Sequence, residues 1–132
     1  MSHTPGSAPK APRKIQLHRK SRQLELSFED QTFLLDAEYL RVYSPSAEVR
    51  GHGDVGGELP SGKQDVAITH VVPAGNYALH LVFDDGHNSG IYSWTYLYDL
   101  GQHQERYWQE YLDKLHAQGK SRAPDTQIVK FI

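Results

Sequence analysis

Four apolar and acidic positions, Leu24-x-Leu26-x-Phe28-x-Asp30, return 55 residues later as Leu79-x-Leu81-x-Phe83-x-Asp85. Further on, Leu40-Arg41-Val42-Tyr43 faces Leu97-Tyr98-Asp99-Leu100 at an offset of 57. Apolar residues at every second position are the pattern of a half-buried strand, and each run ends in an acidic turn. Each copy reads strand, acidic turn, short return, helix. The chain is therefore expected to use one hairpin–helix unit twice. That predicts an α+β fold: a small, mostly antiparallel sheet shared by both hairpins, with the helices packed on one face.

The flanking segments fit this reading. Ile15 and Leu17 alternate ahead of the first copy. Asp36 is placed to cap a short helix through Tyr39, Leu40 and Tyr43, which Pro45 stops. A strand is expected over Val66–Pro73, and Ser93 is expected to cap a helix that starts at Trp94. Gly101 is expected to interrupt that helix. A second helix then covers about 103–118, with Gly119 as its C-terminal cap.

Residues 1–13 are rich in Pro, Ser and Gly and read as a disordered basic tail; such a stretch buries too little apolar surface to offset its ordering entropy. Residues 14–119 form the expected single domain. Residues 120–132 form a tail whose Ile128, Val129, Phe131 and Ile132 are able to dock on the body. The 132 residues contain no cysteine, which excludes disulfides, thiolate catalysis and Cys-ligated metal sites. No segment approaches the ~18 apolar residues of a membrane span. The cytosol is the expected compartment. Six basic residues and no acid precede Glu25, which leaves the remainder eight basic and sixteen acidic residues. A basic arm on an acidic body allows weak contact with nucleic acid, but no aromatic residues interleave with it to stack on bases.

Chemistry-bearing side chains gather in two places. Asp84-Asp85-Gly86-His87 is a polar turn, and Glu48-Val49-Arg50-Gly51-His52-Gly53-Asp54 lies in a long glycine-rich loop. If both follow the same side of the sheet, His52, His87 and a carboxylate (Asp85 or Glu48) make a two-His, one-carboxylate set suited to iron or zinc. The spacing itself matches no metal motif, and Asp and Gly build turns without any ligand. Ser44 and Ser46 offer hydroxyls with no base at nucleophilic spacing, and the P-loop pattern is missing. Arg41 and Arg50 either clamp an anion or pair with Glu38 and Glu48. Tyr92, Trp94, Tyr96 and Tyr98 alternate too closely to share one helical face. Arg50, Tyr92 and Trp94 are accordingly the residues expected to meet a protein partner.

Two longer stretches carry a resemblance. Residues 38–53, EYLRVYSPSAEVRGHG, and 83–94, FDDGHNSGIYSW, are similar to the family related to the N-terminal domain of gamma-butyrobetaine dioxygenase, over about residues 14–102. In those dioxygenases the resemblance implies a domain that precedes the catalytic jelly roll and holds a zinc through three cysteines and one histidine. The histidine matches His87; the cysteine positions fall on Ser44, Ser46 and Val49. Serine is a poor zinc ligand and valine none. The jelly roll has no counterpart in these residues, so oxygenase activity does not carry over. Similar domains fused to P-loop ATPases with iron–sulfur clusters imply an accessory role in metal or cluster handling. The expectation is a monomeric, non-catalytic, cytosolic binding module with a protein partner, linked to iron or iron–sulfur metabolism. Its rival is a metal-binding protein or metal-dependent enzyme that uses His52, His87 and a nearby carboxylate.

Overall fold

The computed structural model describes residues 10–45, 59–88 and 90–124. Along these residues run β1 (Lys14–His18), β2 (Gln23–Ser27), β3 (Thr32–Asp36), α1 (Ala37–Val42), β4 (Ile68–Ala74), β5 (Ala78–Phe83), β6 (Gly90–Ser93), α2 (Trp94–Gln102) and α3 (Gln104–Ala117). The α+β class and the antiparallel pairing are as the sequence predicts. The sharing of one sheet is not: the strands form two separate three-stranded meanders, β1-β2-β3 and β4-β5-β6. The reason is local. β2 has β1 on one edge and β3 on the other, and β5 likewise lies between β4 and β6. Neighbours in the chain fill both edges of each central strand, which leaves only the outer strands to join the two units, and these do not pair with one another.

The registers of the two sheets coincide under the sequence offsets. Leu24 faces Leu35 and Leu26 faces Phe33 in the first. Leu79 faces Tyr92 and Leu81 faces Gly90 in the second. The inward side chains of both sheets join Tyr39 and Leu40 of α1 and Leu97 and Leu100 of α2 in one continuous core. A smaller cluster of Val42, Tyr111 and Leu115 seats α3 beside α1.

Contacts between the two βββα units are reciprocal, which is the mark of a two-fold relation. The Tyr39 hydroxyl donates to the Leu100 carbonyl (2.7 Å), and the Tyr96 hydroxyl donates to the Tyr43 carbonyl (2.5 Å). Shifting the first pair by 57 in each direction gives the second. Within each unit the same staple recurs: the Ala37 amide donates to Arg22 O (2.9 Å) and the Trp94 amide to Tyr77 O (3.0 Å). The fold is thus a pseudo-dimer built in one chain.

Helix ends follow the sequence in part. Ser93 caps α2 by accepting the Tyr96 amide (3.1 Å). The break between α2 and α3 falls at His103, not at Gly101, which stays helical. Gly101 serves packing: a Cβ there would lie 2.4 Å from Phe33 Cγ. After α3, Gly119 takes φ +66° as the terminating residue, and the Lys120 amide returns to Leu115 O (2.9 Å). The following residues pack on the body through Gly62 N to Ser121 O (2.9 Å) and Gln64 N to Arg122 O (3.0 Å).

Candidate functional site

The two-fold relation supplies an internal control, because each position has a counterpart that meets the same geometric demand. In the first unit, turn residue Asp30 accepts the hydroxyl of Tyr98 from the opposite helix (2.7 Å). In the second unit, the matching Asp85 meets Arg41, which is the counterpart of Tyr98. Arg41 Nε donates to Asp85 Oδ2 at 2.8 Å, and Lys63 Nζ reaches the same oxygen at 2.7 Å. The other oxygen, Oδ1, accepts the His87 amide (3.1 Å). One neutral donor holds the first turn; two cations and an amide hold the second.

A second departure lies next to it. Phe33 packs its ring against Gly101. Their counterparts are Gly90 and Ser44, and a Cβ on Gly90 would lie 2.9 Å from Ser44 Oγ. The large ring of the first unit is therefore missing from the second. The second hairpin also has four residues (86–89) where the first has two (31–32), and His87 lies in that longer turn. Its imidazole is brought beside Ser44, with Nε2 to Oγ at 2.8 Å. Both side chains are buried, Ser44 at 1% and His87 at 8% exposure. Tyr92 completes the floor: its hydroxyl donates to Leu40 O (2.5 Å). Burial raises its pKa, and a hydrogen bond with Ser44 works against that rise.

Burial by itself would raise the Asp85 pKa. The Lys63 hydrogen bond, the His87 amide and the Arg41 charge outweigh it and hold the carboxyl at about 2, below the ordinary 3.8. A folded-state pKa below the unfolded one adds stability that is fully present above the unfolded value and is lost as pH falls toward 2. The titration midpoint of the Asp85 carboxyl, followed by NMR, is expected near the low value in the native chain and clearly higher in Lys63→Ala. An ordinary midpoint in the native chain would show that the two cations do not hold the carboxylate in solution.

The sequence-predicted residues fall in three places. Asp85 and His87 both lie at this corner, joined through the backbone amide of His87, while the His87 ring faces Ser44. Arg50 and His52, together with Ser46, Glu48 and Val49, lie outside the described residues. Tyr92 is fully buried, and Trp94 is 9% exposed with its indole N–H on Asn76 O (2.9 Å). Period-2 alternation in β6 points Tyr92 inward opposite Leu79, so these two aromatics belong to the core and not to the exposed surface expected of them. Arg41 was expected to pair with Glu38 or to clamp an anion, but Glu38 is taken by Arg122. Arg41 and Ser44 stand out in sequence for a charge and a hydroxyl, but local reading brings neither of them, nor Lys63, to this corner. The two offsets carry the signal for the first two, since they match Arg41 with Tyr98 and Ser44 with Gly101.

The zinc implied by the resemblance can be tested against this corner. Tetrahedral ligands about 2.1 Å from a zinc stand about 3.4 Å from one another. Ser44 Oγ and His87 Nε2, at 2.8 Å, are in direct hydrogen-bond contact. The donors are a neutral hydroxyl and one imidazole, with no thiolate. Among the described residues, no three of His, Asp and Glu come together around a point that would hold a metal. The described residues do not fit a zinc.

Fold and corner together define a small α+β domain of two βββα units, with two cations gathered on the turn aspartate of the second unit. The chain belongs to the gamma-butyrobetaine hydroxylase-like N-terminal family, whose model matches residues 15–98. Two solution structures determined by NMR are each 48% identical to it. One has a TM-score of 0.77 and covers 94% of this chain and 98% of its own; the other has 0.76, with 99% and 100%. A crystal structure of a protein of unknown function in the DUF971 family, from Acidithiobacillus ferrooxidans, is 38% identical with a TM-score of 0.59. It covers 72% of this chain and 98% of its own. Among the curated proteins none matches. No helix of the described residues is long and apolar enough to cross a membrane.

Proposed function

We propose that this chain is a non-catalytic binding module of the cytosol that docks a protein partner at the corner made by Arg41, Lys63 and the turn 84–88. One observation supports this reading above others. At the positions where the first unit closes with a neutral donor, Tyr98 on Asp30, and an apolar ring, Phe33 on Gly101, the second unit carries cationic and polar groups. The first unit holds its aspartate with one hydroxyl; the second gathers two cations on its own, and that excess supports a role in recognition besides the stability it brings. Polar and charged groups at a rim orient and select partners more than they add raw affinity. Arg50, which lies outside the described residues, is kept as a further contact of the partner. The link to iron or iron–sulfur metabolism through that partner rests on the family resemblance.

Lys63→Glu tests the proposal. Its side chain is 23% exposed and pairs with Asp85, so charge reversal alters the rim and also removes a contact that stabilises the fold. Capture of partners from lysate of the source cells, at a temperature where both chains are folded, is expected to lose the specific partner in Lys63→Glu, with thermal unfolding lowered but still cooperative. Equal recovery by both forms would remove this corner as the docking surface.

A further inference from the structure

We infer that the corner of Arg41, Lys63 and Asp85 receives an anionic oxygen, a phosphate or carboxylate, held by the two cations. The inference deepens the binding role proposed above by naming the chemistry recognised at that corner.

Three observations carry it. First, the cations outnumber what the turn requires. The Tyr98–Asp30 pair shows that a single hydroxyl donor is enough to hold the equivalent aspartate. Asp85 instead receives a guanidinium and an ammonium on one oxygen, while its other oxygen is occupied by the His87 amide. The neighbouring acids are engaged elsewhere: Asp84 accepts the Ala67 amide (3.1 Å), and Glu38 is bound by both donors of Arg122. Two cations therefore converge on one oxygen of Asp85, with neither taken up by Asp84 or Glu38.

Second, Arg41 Nη1 is buried and has no hydrogen-bond acceptor among the described residues. A buried donor left without an acceptor costs about 1–3 kcal/mol, and more when it is charged. The guanidinium presents its N–H groups in a fixed planar fork. With Nε committed to Asp85, the fork still has donors for a second oxyanion, and a phosphate or carboxylate is the group whose geometry suits it.

Third, the corner opens to solvent by a movable group. Side-chain exposure is 12% for Arg41, 19% for Asp85 and 23% for Lys63. Lys63 ends a flexible four-carbon stem, and its side chain is the most exposed of the three. An incoming anion meets Lys63 first and reaches the guanidinium as that ammonium swings with it. Asp85 keeps Arg41 aimed during the exchange.

The test is an NMR titration of the full chain near neutral pH, with ionic strength held constant by sodium chloride. The probes are inorganic phosphate in one arm and acetate in the other. Readouts are the Arg41 Nε–Hε signal and the backbone amides of Lys63, Asp85 and His87. A saturable shift of these signals is expected, and the stronger arm tells phosphate from carboxylate. Lys63→Ala is expected to weaken it about tenfold or more, the equivalent of one charge-assisted hydrogen bond. Arg41→Lys keeps the charge and loses the fork, and is expected to weaken it as well. Shifts that never saturate in either arm, or that are unchanged in both variants, would overturn the inference and assign Nη1 to a trapped water. Loss of the partner in Lys63→Glu alongside unsaturable titrations would sink this inference alone and leave the docking role standing.

Discussion

Replacing Phe33 with alanine is expected to cost about 3–5 kcal/mol of folding stability, the range for deleting a buried aromatic ring. The ring is 8% exposed and meets Phe28 and Tyr98 edge-on, with centroids 5.9 Å and 5.4 Å away. On its other side is the helix backbone at Gly101, which cannot collapse into the space the ring leaves. The partner substitution is more informative. Gly→Ala inside a helix ordinarily gains about 0.8–1 kcal/mol from propensity. At Gly101 the added methyl would lie 2.4–2.7 Å from three atoms of the Phe33 ring. Overpacking of this kind costs about 1–3 kcal/mol, so Gly101→Ala is expected to destabilise despite better propensity. Phe33→Leu combined with Gly101→Ala is expected to lose less than the two single changes together, because the smaller side chain makes room for the methyl. Urea unfolding of the two single variants and the double variant checks this. Strict additivity would mean that glycine and ring do not meet in solution.

The same pair shows what local reading of the sequence can and cannot reach. The strands, the Ser93 cap and the Gly119 stop are dictated by residues close along the chain, and alternation, capping chemistry and positive φ reveal them. Gly101 looks like a helix breaker for the same reason, since propensity is local; the ring that requires it comes from 68 residues earlier. Tyr92 presents the opposite case. Amid alternating aromatics it resembles a surface residue, yet the register that sets it opposite Leu79 buries it completely. The separation into two sheets was hidden as well. A repeated hairpin announces two like units, but β1 and β4 decide whether those units join edge to edge, and their pattern is weaker. Of the corner, Asp85 and His87 stand out in sequence as a polar turn. Arg41 and Lys63 do not, because neither is near Asp85 along the chain. What would have placed Arg41 is the repeat taken literally: if Tyr98 of one copy meets Asp30 of the other, Arg41 must meet Asp85.

Arg122→Ala is expected to destabilise the chain by about 2–3 kcal/mol, although Arg122 follows the last helix. Arg122 donates from Nε and Nη2 to both carboxylate oxygens of Glu38, at 2.8 and 2.7 Å, and its guanidinium lies 5.3 Å from the centre of the Trp108 ring. The Glu38 side chain is 8% exposed, so loss of the arginine strands a carboxylate inside the protein. Removing one partner of a fully buried pair costs about 3–5 kcal/mol. The value expected here is lower because the Arg122 side chain is 38% exposed and water screens part of its charge. Replacing both residues by methionine is expected to recover most of the loss, since no charge is then left unpaired. The consequence extends beyond stability. α1 has only six residues, too few to persist without tertiary support, and it carries both Glu38 and Arg41. The Arg122 clamp therefore also fixes the helix that aims Arg41 at Asp85. Broadening of the Arg41 side-chain signal in Arg122→Ala, measured where the chain is still fully folded, is the expected companion of the stability loss. A loss under about 0.5 kcal/mol, the size typical of an exposed ion pair, would show that water already satisfies Glu38 and that α1 is held by its apolar face alone.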